Sequence, residues 1–247
     1  MYIYGKNVVK EKLSTNEEIF KAYVSKKFRD QELIDILIKR NIRINFVDNK
    51  VLDQKVNGLH QGIILEVEEA KTYTLDELIN KVKDKTNPLI VMLDHLEDPH
   101  NFGAIIRTCE ALGIDGIIIP NDRAVGITGT VIKTSAGAIT YTTIVRVPNL
   151  ANTIEKLKKN GFWIVGTDMQ GENYTKIDYN MPTCLVIGNE GKGMSKIIKD
   201  NCDFVATIPM TGQINSLNAS VSCGIILSHI VQSRCLWIFM MTIMIMS

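Results

Sequence analysis

Ile208-Pro209-Met210-Thr211-Gly212-Gln213-Ile214-Asn215-Ser216-Leu217-Asn218-Ala219-Ser220-Val221-Ser222-Cys223-Gly224 is the stretch on which the reading of this chain turns. It begins as the end of an apolar strand, turns through Thr211-Gly212 and restarts as a helix, expected over Ser216–Val231. Asn and Ser crowd the start of that helix. Their side chains satisfy the free amides of a first turn, and such a turn favours electron-rich ligand groups. Ala219, Ser220, Ser222 and Gly224 follow, small residues that let another backbone approach closely. Taken alone, the stretch is equally well a capped core helix after a loop.

Two further stretches change that balance. One is Asp98-Pro99-His100-Asn101-Phe102-Gly103-Ala104-Ile105-Ile106-Arg107-Thr108; the other is Cys184-Leu185-Val186-Ile187-Gly188-Asn189-Glu190-Gly191-Lys192-Gly193-Met194. From Leu89 onward, short apolar runs alternate with helical spacing. Strands are expected at Leu89–Asp94, Gly116–Ile119, Thr142–Val147, Phe162–Thr167, Cys184–Gly188 and Phe204–Ile208. Helices are expected at Asn101–Leu112, Asn149–Lys159 and Ser195–Lys199. Near-continuous apolar strands between helices predict an α/β fold with a largely parallel sheet covered on both faces. Ligand sites in such sheets lie at the carboxyl ends of the strands, and all three stretches fall there. No G-x-G-x-x-G follows the first strand, so an ordinary dinucleotide site is not supported.

In their order and spacing, the three stretches resemble the signature motifs of the SpoU family of RNA ribose 2′-O-methyltransferases, within the SPOUT superfamily. The resemblance runs to about Val231. It implies a SPOUT-type parallel sheet with a deep trefoil knot near its C-terminal end, S-adenosylmethionine as cofactor, and a homodimer. It implies no metal and no membrane, and a cytoplasmic protein. By the same resemblance Arg107, Asn101, Glu190, Ser216 and Asn218 are the catalytic candidates. A guanidinium stays charged to very high pH, so the physical role expected of Arg107 is to bind phosphate or to stabilise a developing alkoxide. Asn101 is expected to cap its helix and to orient the hydroxyl or Arg107. Gly188, Ile208 and Leu217 match positions whose backbone holds the cofactor, and Met210 and Thr167 are assigned with them. Lys133 is placed on the RNA side.

Residues 1–70 read as a small α/β unit. Asp30 is the expected N-cap of a helix carrying Leu33, Ile34, Leu37 and Ile38, and strands are expected near Tyr2, at Phe20–Val24, Ile42–Val47 and before Val67. The resemblance makes this unit an RNA substrate-binding domain similar in fold to ribosomal protein L30e. Lys26, Lys27, Arg29 and Arg40, from its basic clusters, would then meet phosphates. By charge alone, a solvated face is the favoured reading. His60 has a bland reading as a structural histidine. Residues 71–88, polar with a short amphipathic helix carrying Leu75, Leu78, Ile79 and Val82, look like a linker, and 89–234 form the expected catalytic domain.

Composition adds limits. With 28 basic against 27 acidic residues the net charge is +1, so RNA affinity has to come from local patches. The five cysteines include no C-x-x-C pair and read as reduced core thiols. The expected substrate is ribosomal RNA of the large subunit, with guanosine as the base. Transfer RNA is the runner-up within the same chemistry, and a non-catalytic RNA-binding or ribosome-assembly protein is the alternative outside it. After Val231 the chain departs from the family. Cys235–Met246 is almost wholly apolar yet shorter than the ~20 residues a bilayer needs. The expectation for this tail is an interface helix or an aberrant end, with poor order or aggregation. Deleting Cys235–Ser247 is predicted to leave S-adenosylmethionine affinity unchanged by calorimetry on the soluble truncated protein.

Overall fold

The computed structural model describes residues 2–14, 18–56, 58–67, 71–122, 124–213 and 216–246; the side chains of Glu11 and of residues 236–246 lie outside the description, as do Ile214 and Asn215 of the opening stretch. The chain divides into two compact units, one of residues 1–70 with 127–130, the other of the remainder.

The first unit runs β1 (Tyr2–Tyr4), α1 (Lys6–Ser14), β2 (Ile19–Ser25), α2 (Gln31–Lys39), β3 (Ile44–Val47), α3 (Asn49–Lys55) and β4 (Ile63–Val67). Its sheet has the order β1-β4-β2-β3, antiparallel except for β2 with β3. Asp30 caps α2 as expected, accepting from the Leu33 amide at 3.3 Å. Leu33 and Leu37 are fully buried, four residues apart on one face. α1 and α3 were not anticipated. Val9 and Leu13 are the buried pair of α1, and Leu52 is the buried residue of α3. Helices so short leave too few turns for a period to show.

The second unit contains α4 (Leu75–Val82), β5 (Leu89–Leu93), α5 (Pro99–Ala111), β6 (Gly116–Pro120), α6 (Gly129–Thr134, from its third residue), β7 (Ile144–Val147), α7 (Leu150–Lys159), β8 (Trp163–Asn173), β9 (Thr183–Ile187), α8 (Lys196–Asp200), β10 (Phe204–Thr207) and α9 (Ala219–Met246). Six strands pair in the order β10-β8-β9-β5-β6-β7, every pair parallel. Side chains alternate across a sheet. Ile90, Met92, Ile118, Cys184, Val186 and Ile164 therefore share one face, and they cluster with Leu78 and Val82 of α4 and Ile154 and Leu157 of α7. Phe102, Ile105 and Ile106 of α5 and Ile226, Leu227 and Ile230 of α9 are fully or almost fully buried.

The segment 71–88, expected as a linker, is part of this unit. Thr74 and Glu77 close a capping box at the start of α4, and Leu78 is fully buried. The Tyr73 amide donates to the Ile144 carbonyl at 2.8 Å. β8 runs past its apolar part into Asp168-Met169-Gln170-Gly171-Glu172-Asn173, and its register with β10 shifts between Val205 and Ala206. The backbone of the apolar tail continues α9 to Met246. Among the described residues no helix is long and apolar enough to cross a membrane.

Arg234 fastens α9 just before that tail. Its Nε donates to the Tyr179 carbonyl at 2.9 Å, Nη1 to Asn87 O at 2.8 Å, and Nη2 to Met181 O at 2.8 Å and Thr183 Oγ1 at 3.0 Å. One fork thus joins α9 to the entries of β5 and β9. An ammonium cannot span that set of acceptors. Arg234→Ala is predicted to lower stability by about 2–4 kcal/mol, by urea denaturation at unchanged slope, because it strands partly buried acceptors. Arg234→Lys should recover less than half of that loss.

Candidate functional site

The strand order reverses beside β5: β6 and β7 lie to one side, β9, β8 and β10 to the other. The crevice of such a sheet opens at the carboxyl ends of the strands flanking the reversal. Here those are β5 and β9, which run into Asp94-His95 and Gly188-Asn189. Asp94 is 1% exposed, yet its carboxylate is satisfied on both oxygens. Oδ2 accepts from the Ser195 amide at 2.7 Å, and Oδ1 lies 2.5 Å from His95 Nδ1. Asn189 clamps the opposite loop. Its Nδ2 donates to the His95 carbonyl at 2.9 Å, and its Oδ1 accepts from the Gly191 and Lys192 amides at 3.0 and 3.3 Å. Gly188 is required by closeness: a Cβ there would sit 2.4 Å from the Gly193 carbonyl carbon and the Met194 nitrogen.

Asn101 joins the three motifs. It does not cap α5; Asp98 does, accepting from the His100 amide at 3.0 Å ahead of Pro99 at the first helical position. Asn101 lies inside the helix and is 7% exposed. Its Nδ2 donates to Glu190 Oε1. Its Oδ1 accepts from Asn218 Nδ2 at 2.8 Å, with Ser220 Oγ 3.3 Å away. The amide can be placed in only one sense, since a carboxylate accepts and cannot donate. Asn218 in turn caps α9: its Oδ1 accepts from the Ser220 amide at 2.9 Å, the Val221 amide at 3.3 Å and Ser220 Oγ at 2.6 Å. The helix expected from Ser216 therefore begins at Ala219, because Asn218 takes the cap.

Beside this network lies a cavity of about 730 Å³. Gly188, Ile208, Met210, Leu217 and Thr167 all line it, as do Glu190 and Ser216. Thr167 is held in place by its Oγ1, which donates to the Val186 carbonyl at 3.0 Å. The catalytic candidates are otherwise divided. Arg107 is exposed on α5, does not line the cavity, and makes no hydrogen bond or ion pair among the described residues. Lys133 is exposed in the last turn of α6, also away from the cavity lining. Asn189, Asp94 and Ser220 hold the loops but were not singled out. The first two sit at the ends of apolar runs, a signal that sequence does offer.

The RNA candidates of the first unit separate as well. Lys27 and Arg29 line a pocket of about 540 Å³. Lys26 pairs with Asp48 at 3.2 Å. Arg40 is half-buried and its Nη1 donates to the Leu13 carbonyl at 2.9 Å, fastening the end of α1. His60 is structural in its bonding: the Gly62 amide donates to its Nδ1 at 2.9 Å, so Nε2 carries the proton and meets Asp53 at 2.9 Å. Burial pushes the Cys109 and Cys184 thiols above their ordinary range, and Cys202 up to about 11, so all three stay protonated at neutral pH and are poor nucleophiles. Among the described residues no group of three His, Cys, Asp or Glu is placed to hold a metal.

The family described as SpoU rRNA Methylase matches residues 88–228, and the one described as RNA 2′-O ribose methyltransferase substrate binding matches residues 2–73. A Bacillus subtilis (strain 168) protein named YacO, assigned to the TrmH family of tRNA/rRNA methyltransferases, is 43% identical over 238 residues, covering 94% of this chain and 96% of its own. The SpoU methyltransferase AviRb from Streptomyces viridochromogenes, solved with AdoMet, shares the fold at a TM-score of 0.64 and 23% identity, over 95% of this chain and 90% of its own. The A. aeolicus TrmH/SpoU tRNA modifying enzyme is 33% identical at a TM-score of 0.56, over 65% of this chain and 82% of its own.

The bond between Asn101 and Glu190 generates a double-mutant cycle. Asn101→Ala, Glu190→Ala and the pair, unfolded in urea, are predicted to show a coupling of about 1–2 kcal/mol. Additive losses would mean that the two side chains do not support each other.

Proposed function

Because this chain belongs to the SpoU rRNA Methylase family, and is thereby an RNA 2′-O-methyltransferase with S-adenosylmethionine as its methyl donor, we propose that it methylates the ribose of a guanosine in large-subunit (23S) ribosomal RNA. The observation that carries the reading is the Asn101 amide, which ties the Glu190 loop to the Asn218 cap beside the cavity. The choice of ribosomal RNA is supported by the description of the family matching residues 88–228, which names rRNA. Transfer RNA is the second reading. It is favoured by the likeness to the A. aeolicus enzyme, which covers 65% of this chain. We place the protein in the cytoplasm, acting as a homodimer.

The cavity suits the cofactor. Its volume falls in the range of nucleoside-sized ligands, and apolar Ile208, Leu217 and Ala206 alternate in it with loop backbone around Gly188. When bound there, S-adenosylmethionine supplies an electrophilic methyl group on a sulfonium. Gly188, Ile208 and Leu217 would hold it, with Met210 and Thr167 on its flanks. The protein has then to orient the ribose hydroxyl and to favour loss of its proton. Asn101 is a positioning residue in this account, because both ends of its amide are already engaged. Glu190 and Asn218 are held by it, and Ser216 stands at the cavity wall. Arg107 brings a permanent positive charge that makes no hydrogen bond or ion pair among the described residues, suited to an RNA phosphate or to the charge developing on the ribose oxygen.

Methyl transfer from tritiated S-adenosylmethionine to unmethylated ribosomal RNA and to bulk transfer RNA tests the reading. Wild type is expected to label large-subunit RNA. Arg107→Ala should lose about 100-fold or more in rate while cofactor affinity is kept, in line with loss of one electrostatic donor. Label on transfer RNA alone would move the substrate to the second reading; no label with cofactor bound would favour a protein that binds RNA without modifying it.

A further inference from the structure

The pocket of the first unit takes no part in the bonding around the cavity of the second. It lies between the turn at Ser25–Arg29, the start of α3 and the segment Gly58–Gly62. Its walls are set before any ligand arrives. Gln61 and Gly62 both have positive φ, 52° and 83°. His60 is fixed by Asp53 on one ring nitrogen and the Gly62 amide on the other. The Gln61 side-chain Oε1 accepts from the Lys6 amide at 2.8 Å, and among the described residues its Nε2 has no partner, which leaves it a donor.

The chemistry of the rim is mixed in a specific way. Lys27 and Arg29 are exposed and, among the described residues, neither side chain has a hydrogen bond or ion pair. Lys6 is drawn instead to Asp30 at 3.5 Å and over the Phe28 ring at 5.1 Å. Leu59 is 81% exposed beside these cations. A simple anion would need the two free cations but neither the leucine nor the amides. An acidic peptide would meet the Asp53 carboxylate, which also lines the pocket. A duplex is convex and is recognised across its shallow groove and its phosphates, so it does not enter a concavity. About 540 Å³ suits a guest the size of one nucleotide.

We infer that this pocket holds one unpaired nucleotide of the substrate RNA, its phosphate on Lys27 and Arg29 and its base between Leu59 and the Gln61 amide. Unstacked bases in loops and bulges offer both a phosphate and a free polar edge, and they are what sequence-specific RNA recognition overwhelmingly uses. The pocket would thus select the loop that is brought to the methylating unit. The inference deepens the RNA methyltransferase reading and rests on it.

Fluorescence anisotropy on the full chain, without cofactor, tests it. The probes are a short single-stranded RNA of mixed sequence and a blunt duplex of the same sequence, each over a series of salt concentrations. Wild type is expected to prefer the single strand. Lys27→Ala/Arg29→Ala should weaken the single strand about tenfold or more and reduce the salt slope by about 2. Gln61→Ala should weaken it about threefold to tenfold at an unchanged slope, as loss of one hydrogen bond to a base edge does. Unchanged thermal melting confirms that the variants are folded. The pocket is overturned by a wild type that binds the single strand no better than the duplex, or by a double variant that binds the single strand as wild type does. A double variant that loses duplex and single strand equally also overturns it. Methyl transfer is read separately: ribosomal RNA labelled by wild type with the pocket inert sinks the pocket alone, and single-strand binding at the pocket with no methyl transfer to any RNA sinks the enzyme reading alone.

Discussion

A primary amide has one oxygen that accepts and one nitrogen that donates, and Asn101 uses both across the site. The nitrogen faces the carboxylate of Glu190, the oxygen faces Asn218 and Ser220, and the residue is 7% exposed inside a helix. Losing a partner leaves part of the buried Asn101 amide unsatisfied, whereas Glu190 and Asn218 are themselves exposed. Three loops that the chain visits far apart, after β5, after β9 and after β10, are thereby held to one geometry. Asp94 and Asn189 repeat the device on the backbone side: Asp94 takes the Ser195 amide, and Asn189 takes two amides of its own loop.

The sheet makes that convergence possible. β5 and β9 are neighbours although β6, β7 and β8 lie between them in the chain. Their carboxyl ends open side by side at the point where the strand order reverses. The cavity is bounded by the middle of β8, the ends of β9 and β10 and the start of α9. Arg234 secures the same helix about four turns further on, with one guanidinium shared among four acceptors. A helix held at its start and again at Arg234 gives the cofactor loop a rigid edge, and rigid support is what a site built on loops requires.

Much of this was legible before the structure. The apolar runs of the sheet are buried on both faces and so appear as unbroken hydrophobic strings. Gly188, Ile208, Met210, Leu217 and Thr167 were named from the sequence and line one cavity. The failures have physical causes. Asn101 was read as a cap although Asp98-Pro99 carried the stronger signal, a capping side chain followed by a residue that needs no amide partner. The helix after the third motif starts at Ala219, because Ser216 and Leu217 are held out as cavity wall. The extension of β8 is polar along Asp168, Gln170 and Glu172, so no apolar period marks it. The amphipathic helix expected within 71–88 is α4, and it belongs to the second unit rather than to a linker because Leu78 and Val82 are buried in that unit's core. The separation of Lys27 and Arg29 from Lys26 and Arg40 depends on ion pairs and a carbonyl cap, which composition does not reveal.

The account stands on the claim that the Asn101 amide assembles the cofactor site. Calorimetric titration of S-adenosylmethionine into wild type and Asn101→Ala, in protein whose melting shows it folded, addresses that claim most directly. The account predicts affinity weaker by about tenfold or more in the variant, the cost of about 1.4 kcal/mol for loops no longer held together. An affinity equal to that of wild type would contradict it, and would leave the three motifs near one another without the bond that was taken to unite them.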